Sequence, residues 1–523
     1  VVVLAALAGA LGEAEEGGTL PTRYVFDEGH HVFAAADSAF SAHLTGQETA
    51  ELRCWLLGAE GGRPRGRGVN YWGASRARGL KRRVEDLIAG DGEAEAALAE
   101  ALEAARVLPA EEWLRRLAER TPQGPTEGFL AAVRRQVLAR AQDADGLYGL
   151  EADARPLDGA VAEAAARLAA ALARLAAPLT GLAGRLRRRL DKEADTLDTA
   201  TRLRIEAVVR SLRRRVEVGL GGWRAMLQAL AEETPPEFVD WFAIDRVEGR
   251  ETDVGMHRHW VDPTIPFAAA VAAPAHGLVV TSATLTDGSG DVEADWAAAE
   301  ARTGAAHLPE PALRARVPSP FDYARQTRVI VVTDVARDDL DQVAAAYRSL
   351  FLASGGGALG LFTAIARLRG VHKRIAPAME QAGLMLLAQH VDGMDTSTLV
   401  DIFRAEEDAC LLGTDAVRDG VDVPGRSLRL IVFDRVPWPR PDILHRVRRA
   451  HFGGQRYDDA LTRLRLKQAF GRLVRRADDR GVFVLLDRML PSRLAGAFPD
   501  GVRIERIGLA EAVAEVRGFF QGN

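Results

Sequence analysis

Cysteine is nearly absent from this 523-residue sequence, which contains only Cys54 and Cys410. Two thiols cannot build a disulfide framework, a four-cysteine zinc site or a four-cysteine iron–sulfur cluster within the chain, and such sparing use fits a reducing, cytoplasmic setting. Lysine is scarce too: Lys81, Lys192, Lys373 and Lys467 are all there are, and none follows a glycine. A phosphate-binding loop needs Gly-Lys-Ser/Thr, because its lysine reaches the outer phosphates of a nucleotide, so these residues contain no such loop. No apolar run reaches the roughly 18 residues that cross a bilayer. Val1 to Gly12 stops at Glu13 and lacks the basic flank of a signal peptide. With 47% hydrophobic residues, 27% charged residues and a formal net charge of -5, the composition excludes disordered and collagen-like classes. It also argues against a wholly nucleic-acid-coating protein, but not against a local basic groove. The sequence opens on Val-Val-Val without an initiator methionine and reads as the interior of a longer protein.

What is present changes character along the chain. Arg23 to Asp27 reads as a buried strand running into the acidic turn Asp27-Glu28-Gly29-His30. Residues 61–83 hold eight Arg or Lys and no acid, interleaved with Tyr71 and Trp72, a composition that suits either a phosphate-tracking, base-stacking segment or a solvated basic loop. Residues up to 234 are rich in Ala, Leu, Arg and Glu, a helical composition, with breaks at 121–128 and 145–159 that read as turns between helices. From Pro235-Pro236 onward apolar strand-like runs appear, and after about 325 they alternate with helical stretches. Such alternation predicts an α/β fold with doubly wound parallel sheets.

Four short constellations could carry chemistry. Asp27 and Glu28, at a strand end, suit Mg²⁺ binding and activation of a water, or equally a solvated turn with a capping Asp. Thr281-Ser282-Ala283-Thr284 follows the apolar run Gly277 to Val280, where hydroxyls either contact carboxylates and phosphates or cap a helix. Gly413 to Gly425 again follows a strand, with Thr414, Asp415, Gly420 and Asp422 suited to a phosphate or sugar edge or to a structural loop. Gln468, Arg472 and Arg475, around Gly471, would project from one face if that segment is a helix, either toward an anion or into solvent. His257 and His259 have the i, i+2 spacing of a strand metal pair, without a third ligand in view. Arginines at 185–189, 202–215 and 446–449 could extend a positive path or belong to solvated helix faces.

Taken in order, Asp-Glu-Gly-His, Thr-Ser-Ala-Thr-Leu, the 413–425 loop and Gln-Ala-Phe-Gly-Arg-Leu-Val-Arg-Arg resemble motifs II, III, V and VI of superfamily 2 helicases, nearest to the DinG/XPD-like DNA helicases. Phe362-Thr363-Ala364 sits where motif IV would fall, and the Pro-rich stretch Arg435 to Asp442 also matches that pattern. The resemblance implies two RecA-like motor domains. The first would occupy 1–60 and 235–317, split by a helical Arch-like insertion at 61–234, and the second 318–523. It implies ATP with Mg²⁺, movement along single-stranded DNA from 5′ to 3′, and unwinding of forked DNA in repair or replication. Asp27 would be the Mg²⁺-associated acid, Glu28 the base and His30 a coupling residue. Thr281, Ser282 and Thr284 would link hydrolysis to DNA grip, while Thr414, Asp415, Gly420 and Asp422 line the other half of the cleft. Gln468 would contact the nucleotide or adjacent motifs, with Gly471 beside it on the nucleotide side, and Arg472 and Arg475 would reach the γ-phosphate. Gly29 replaces the family's usual alanine, a change expected to be tolerated because that side chain contributes no chemistry. The family's motif I, and the cysteines of a 4Fe–4S cluster found in many members, would lie before Val1, so this chain alone is not expected to turn over ATP efficiently. An ATP-dead single-strand-binding module and an RNA helicase of the same superfamily are the competing readings. Protein partners are left open.

Overall fold

The computed structural model describes residues 21–59, 78–141, 148–414, 417 and 423–521. Three sheets organise it. In the first, strand β1 (Arg23–Phe26) runs parallel to β6 (Gly277–Val280), with Arg23 opposite Gly277 and Phe26 opposite Val280. The helix Val32–Phe40 packs Val32 and Ala36 against Tyr24, Phe267 and Val271 to form its small core.

The second sheet is antiparallel, in the order β2 (Ala42–Thr45), β5 (Arg250–Trp260), β4 (Phe238–Val247), β3 (Leu150–Asp153). Period-two alternation gives it two working faces. Leu44, Phe242, Ile244, Val254 and Met256 join one core with the helices of residues 80–230. Chief among these helices is Gly159–Lys192, whose Leu168, Leu172, Leu175, Leu179, Leu182 and Leu186 recur at helical spacing. On the opposite face Val239, Trp241, Ala243 and Val261 pack on Ile443.

The sequence expectation differs from this arrangement in two places. The stretch 145–159 contains strand β3 rather than a plain helix-to-helix turn. Residues 238–260, expected to return to the first motor sheet, instead pair with β2 and β3 and share the helical core, as do residues 44–56.

The third sheet has seven parallel strands in the order β13-β7-β12-β11-β8-β10-β9. They span β7 (Thr327–Val332), β8 (Ala358–Leu361), β9 (Leu386–Ala388), β10 (Cys410–Gly413), β11 (Leu430–Phe433), β12 (Gly481–Leu485) and β13 (Ile504–Ile507). Its central strands are buried on both faces, which is why they read as continuous apolar runs. Helices Leu340–Ser354, Ile365–Gln381 and Leu509–Gln521 cover one face. Helices Thr396–Ala405 and Gln455–Phe470 cover the other. The expected α/β class with a doubly wound parallel sheet is what the chain adopts. No helix among the described residues is long and apolar enough to cross a membrane.

Candidate functional site

The in-register pairing of β1 with β6 brings the turns after both strands to one end of the sheet. The Gly29 N–H donates to the Thr281 carbonyl (2.8 Å), and the Thr281 N–H donates to the Phe26 carbonyl (2.9 Å), stitching the two turns together. His30 Nδ1 lies 2.8 Å from Ser282 Oγ, 3.1 Å from Thr284 Oγ1 and 3.2 Å from Glu28 Oε2. The imidazole is almost buried, with 9% of its side chain exposed, while Glu28 is 57% exposed. Glu28 takes a left-handed conformation (φ 51°), which swings its carboxylate out of the strand line. Asp27 is exposed, and its Oδ1 accepts the Glu28 N–H at 3.0 Å. Asp27, Glu28, His30, Thr281, Ser282 and Thr284 therefore lie together at this end of the sheet. The group contains an exposed carboxylate pair beside a buried histidine that two hydroxyls hold in place.

Asp27 and Glu28 do not make a protein cage for a cation, and no group of three His, Cys, Asp or Glu among the described residues is placed to hold one. Mg²⁺ usually takes one or two carboxylates and completes its shell with water and substrate phosphates, so this donor set fits a cation that arrives on a nucleotide. The site thus has the donors of half a phosphate-metal cleft.

The remaining residues singled out from sequence belong to the third-sheet part of the chain. Thr414, after β10, donates through its N–H (2.9 Å) and Oγ1 (2.8 Å) to Gln389 Oε1. Asp415, Gly420 and Asp422 lie outside the described residues. Gln468 sits in the last turn of the helix Gln455–Phe470, and Gly471 caps that helix. Arg472 and Arg475 therefore lie beyond the helix, which corrects the expected row on one helical face. The physical reason is Asp479: its Oδ2 accepts the N–H groups of both Arg475 and Arg476 at 2.7 Å, and its Oδ1 accepts that of Gly425 at 3.2 Å. A buried carboxylate gathers those backbone donors into a tight turn instead of a further helical turn. It also ties the loop after β10 to the arginine segment. Arg472 is half-buried and Arg475 exposed.

Asp37 had no local signal in the sequence, yet it is the shared partner of Arg448, from the basic run 446–449, and of His259. Arg448 is buried between parts of the chain distant in sequence. It donates to both Asp37 oxygens (Nη1 3.2 Å, Nη2 2.6 Å) and to the carbonyls of Trp260 (2.9 Å) and Val261 (3.1 Å), over the ring of Phe33. His259 Nδ1 reaches the same Asp37 at 2.8 Å. His257 and His259 do gain a third imidazole, since His43 Nε2 lies 2.9 Å from His259 Nε2 and its ring 5.0 Å from that of His257. This is a stacked array with Trp241, however, and not a metal-ligand set. Many arginines of the expected positive path are committed to carboxylates: Arg185 to Asp91, Arg189 to Glu193, Arg204 to Asp86, Arg213 to Glu217, and Arg449 to Asp458. Tyr71 and Trp72 lie outside the described residues.

Residues 347–504 match the helicase C-terminal domain family. The chain is 27% identical over 286 residues to the Bacillus subtilis (strain 168) protein named 3′-5′ exonuclease DinG, covering 52% of this chain and 30% of that protein. It is 35% identical over 194 residues to the ATP-dependent helicase DinG of Mycobacterium tuberculosis (strain ATCC 25618 / H37Rv), covering 35% and 28%. It is 29% identical over 294 residues to the ATP-dependent DNA helicase YoaA of Escherichia coli (strain K12), covering 53% and 42%. The chain thus spans less than half the length of each of these curated relatives.

Proposed function

We propose that this chain, a DinG-like superfamily 2 helicase in its sequence, supplies most of two RecA-like motor modules that hydrolyse ATP and move along single-stranded DNA, from 5′ to 3′, to open forked duplexes. The observation that carries the reading is the cluster in which His30 touches Glu28, Ser282 and Thr284 at once. A base for water attack must be free to reach solvent yet be connected to what moves; Glu28 is exposed and linked through His30 to the loop after β6. In this reading Glu28 orients and deprotonates the attacking water, and Asp27 holds the nucleotide's Mg²⁺ through water. Arg472 and Arg475 approach the γ-phosphate from the third sheet, and Gln468 and Thr414 line that side with Asp415, Gly420, Asp422 and Gly471. Mg²⁺ supplies charge neutralisation of the phosphates when bound.

The 61–234 region works in this proposal as the Arch-like insertion between the two parts of the first motor domain. One observation favours a second reading for the chain by itself. It holds no Gly-Lys-Ser/Thr, so alone it binds single-stranded nucleic acid in a salt-dependent way without turnover. The two cysteines of this chain cannot by themselves ligate a 4Fe–4S cluster, so the proposal assigns it none.

The test uses the longest natural polypeptide containing this chain. ATP hydrolysis is measured with single-stranded DNA, with single-stranded RNA of the same length, and with duplexes tailed at either end. The reading predicts stimulation by DNA over RNA and unwinding of the 5′-tailed duplex. Stimulation by RNA alone would replace it with the RNA helicase reading.

A further inference from the structure

We propose that Arg463 and Lys467 are positioning residues that carry the position of the loop following Thr284 to the segment bearing Gln468, Arg472 and Arg475; this rests on the motor reading above. Both lie on the helix Gln455–Phe470, four residues apart and therefore on one face. That face meets consecutive residues of the loop. Arg463 Nε donates to Asp287 Oδ2 at 2.9 Å, and its Nη2 donates to the same oxygen. Lys467 Nζ donates to the Thr286 carbonyl at 2.9 Å. From the side of β6, Arg302 Nη2 donates to the Leu285 carbonyl at 2.6 Å. The Ser289 N–H donates to Asp295 Oδ1 at 2.8 Å and closes the loop.

Below these contacts the chain comes as near as backbone can. A Cβ on Gly288 would stand 2.2 Å from the Gly496 carbonyl oxygen, and one on Gly496 would stand 1.9 Å from that of Gly288. No side chain fits at either position, so glycine at both lets loop and third-sheet module approach backbone to backbone.

The chemistry chosen for the contact is informative. Asp287 and Arg463 are buried, with 3% and 8% of their side chains exposed. Burial pushes the Lys467 ammonium below its ordinary range, and Arg316 adds to the effect. A buried ion pair gives little net stability compared with apolar residues of similar size, but it fails steeply when its partner moves, so it specifies one arrangement over its neighbours. The loop begins at Thr284, which His30 and Ser282 contact, and the helix ends two residues after Gln468. A shift of Thr284 therefore moves Asp287 three residues on, and the helix follows as a rigid body through Arg463 and Lys467. Motion at Glu28 and His30 becomes motion of Gln468 and the arginines.

The experiment compares ATP hydrolysis, with and without single-stranded DNA, in the longest natural polypeptide and in its Lys467→Met and paired Arg463→Met/Asp287→Leu variants. The pair removes both charges together, so neither is left buried alone as Asp287 would be in Arg463→Met. The expected result is basal turnover and ATP KM within about twofold of the unmodified protein, with DNA-stimulated kcat lowered about tenfold. A merely structural contact would lower both rates together, which would overturn the proposal. DNA-stimulated kcat within about twofold in both variants would overturn it as well. Absence of DNA stimulation in the unmodified protein would overturn the motor reading itself, and the positioning role with it.

Discussion

Gly29 lies under Val280, and a Cβ built on it would stand 2.1 Å from Val280 Cγ1 and 3.3 Å from the Thr281 carbonyl oxygen. Valine is stiff about χ1, so it cannot turn aside cheaply. Gly29→Ala is therefore predicted to destabilise the first-sheet unit by about 1–3 kcal/mol, the cost of overpacking a filled site. Gly29→Ala/Val280→Ala should recover most of that loss, as thermal unfolding of both variants would check. By chemistry alone this glycine reads as an idle replacement, since its position contributes no reacting group. What that reading lacked was the strand two hundred and fifty residues away that fills the vacant Cβ position. The polar members of this turn and of the turn after β6 were legible for the opposite reason. Asp27, Glu28, His30, Ser282 and Thr284 announce themselves by type and by their place after a strand, independent of packing detail.

At the scale of elements, strands buried on both faces were readable and short or long-range ones were not. Leu430–Phe433 and Gly481–Leu485 are apolar throughout and need no partner to be recognised. Leu150–Asp153 has only four residues and no alternation beyond them, and it exists as a strand because Trp241 to Ile244 pair with it. The helix that stops at Phe470 is a similar case, since the carboxylate that gathers the following turn is nine residues further on. The antiparallel sheet carries a pH prediction of its own. Burial, with His259 nearby and Asp37 opposing, pushes the His43 imidazole down to about 4. Burial, with His43 and His259, pushes that of His257 down to about 3. Each takes up its proton first in the unfolded chain, so each removes stability as pH falls below about 6.5. Glu48 works the other way. Burial and Asp253 raise its carboxyl to about 7, so its stabilising proton is held at low pH and lost as pH rises through that value. Two imidazoles outweigh one carboxyl, and the thermal midpoint should fall between about pH 6.5 and pH 4.5. Glu48→Gln should steepen that fall, and His257→Phe should flatten it; a midpoint flat with pH in the unmodified protein would contradict the assignment.

For the molecule as a whole, the junction at Arg448 joins the helix after Glu28, the antiparallel sheet and the third-sheet module. Burial alone would raise the Asp37 carboxyl, but hydrogen bonds from His259 and Arg448 outweigh it and hold the carboxyl below its ordinary range. Its contribution is thus present above about pH 4 and lost as pH falls through the lowered value. Arg448→Met leaves the half-buried Asp37 carboxylate with His259 alone and is predicted to cost about 1–3 kcal/mol in denaturant unfolding, the cost of removing a charged hydrogen-bond partner. Asp37→Asn/Arg448→Met should cost less than the single change.

In the proposed motor, Glu28, linked through His30 to Ser282 and Thr284, is the base for ATP hydrolysis. The direct measurement is DNA-stimulated ATP turnover of Glu28→Gln in the longest natural polypeptide, alongside its affinity for ATP. Loss of turnover by about 10²–10⁴-fold with ATP binding retained is the predicted result. Near-normal turnover would contradict the account.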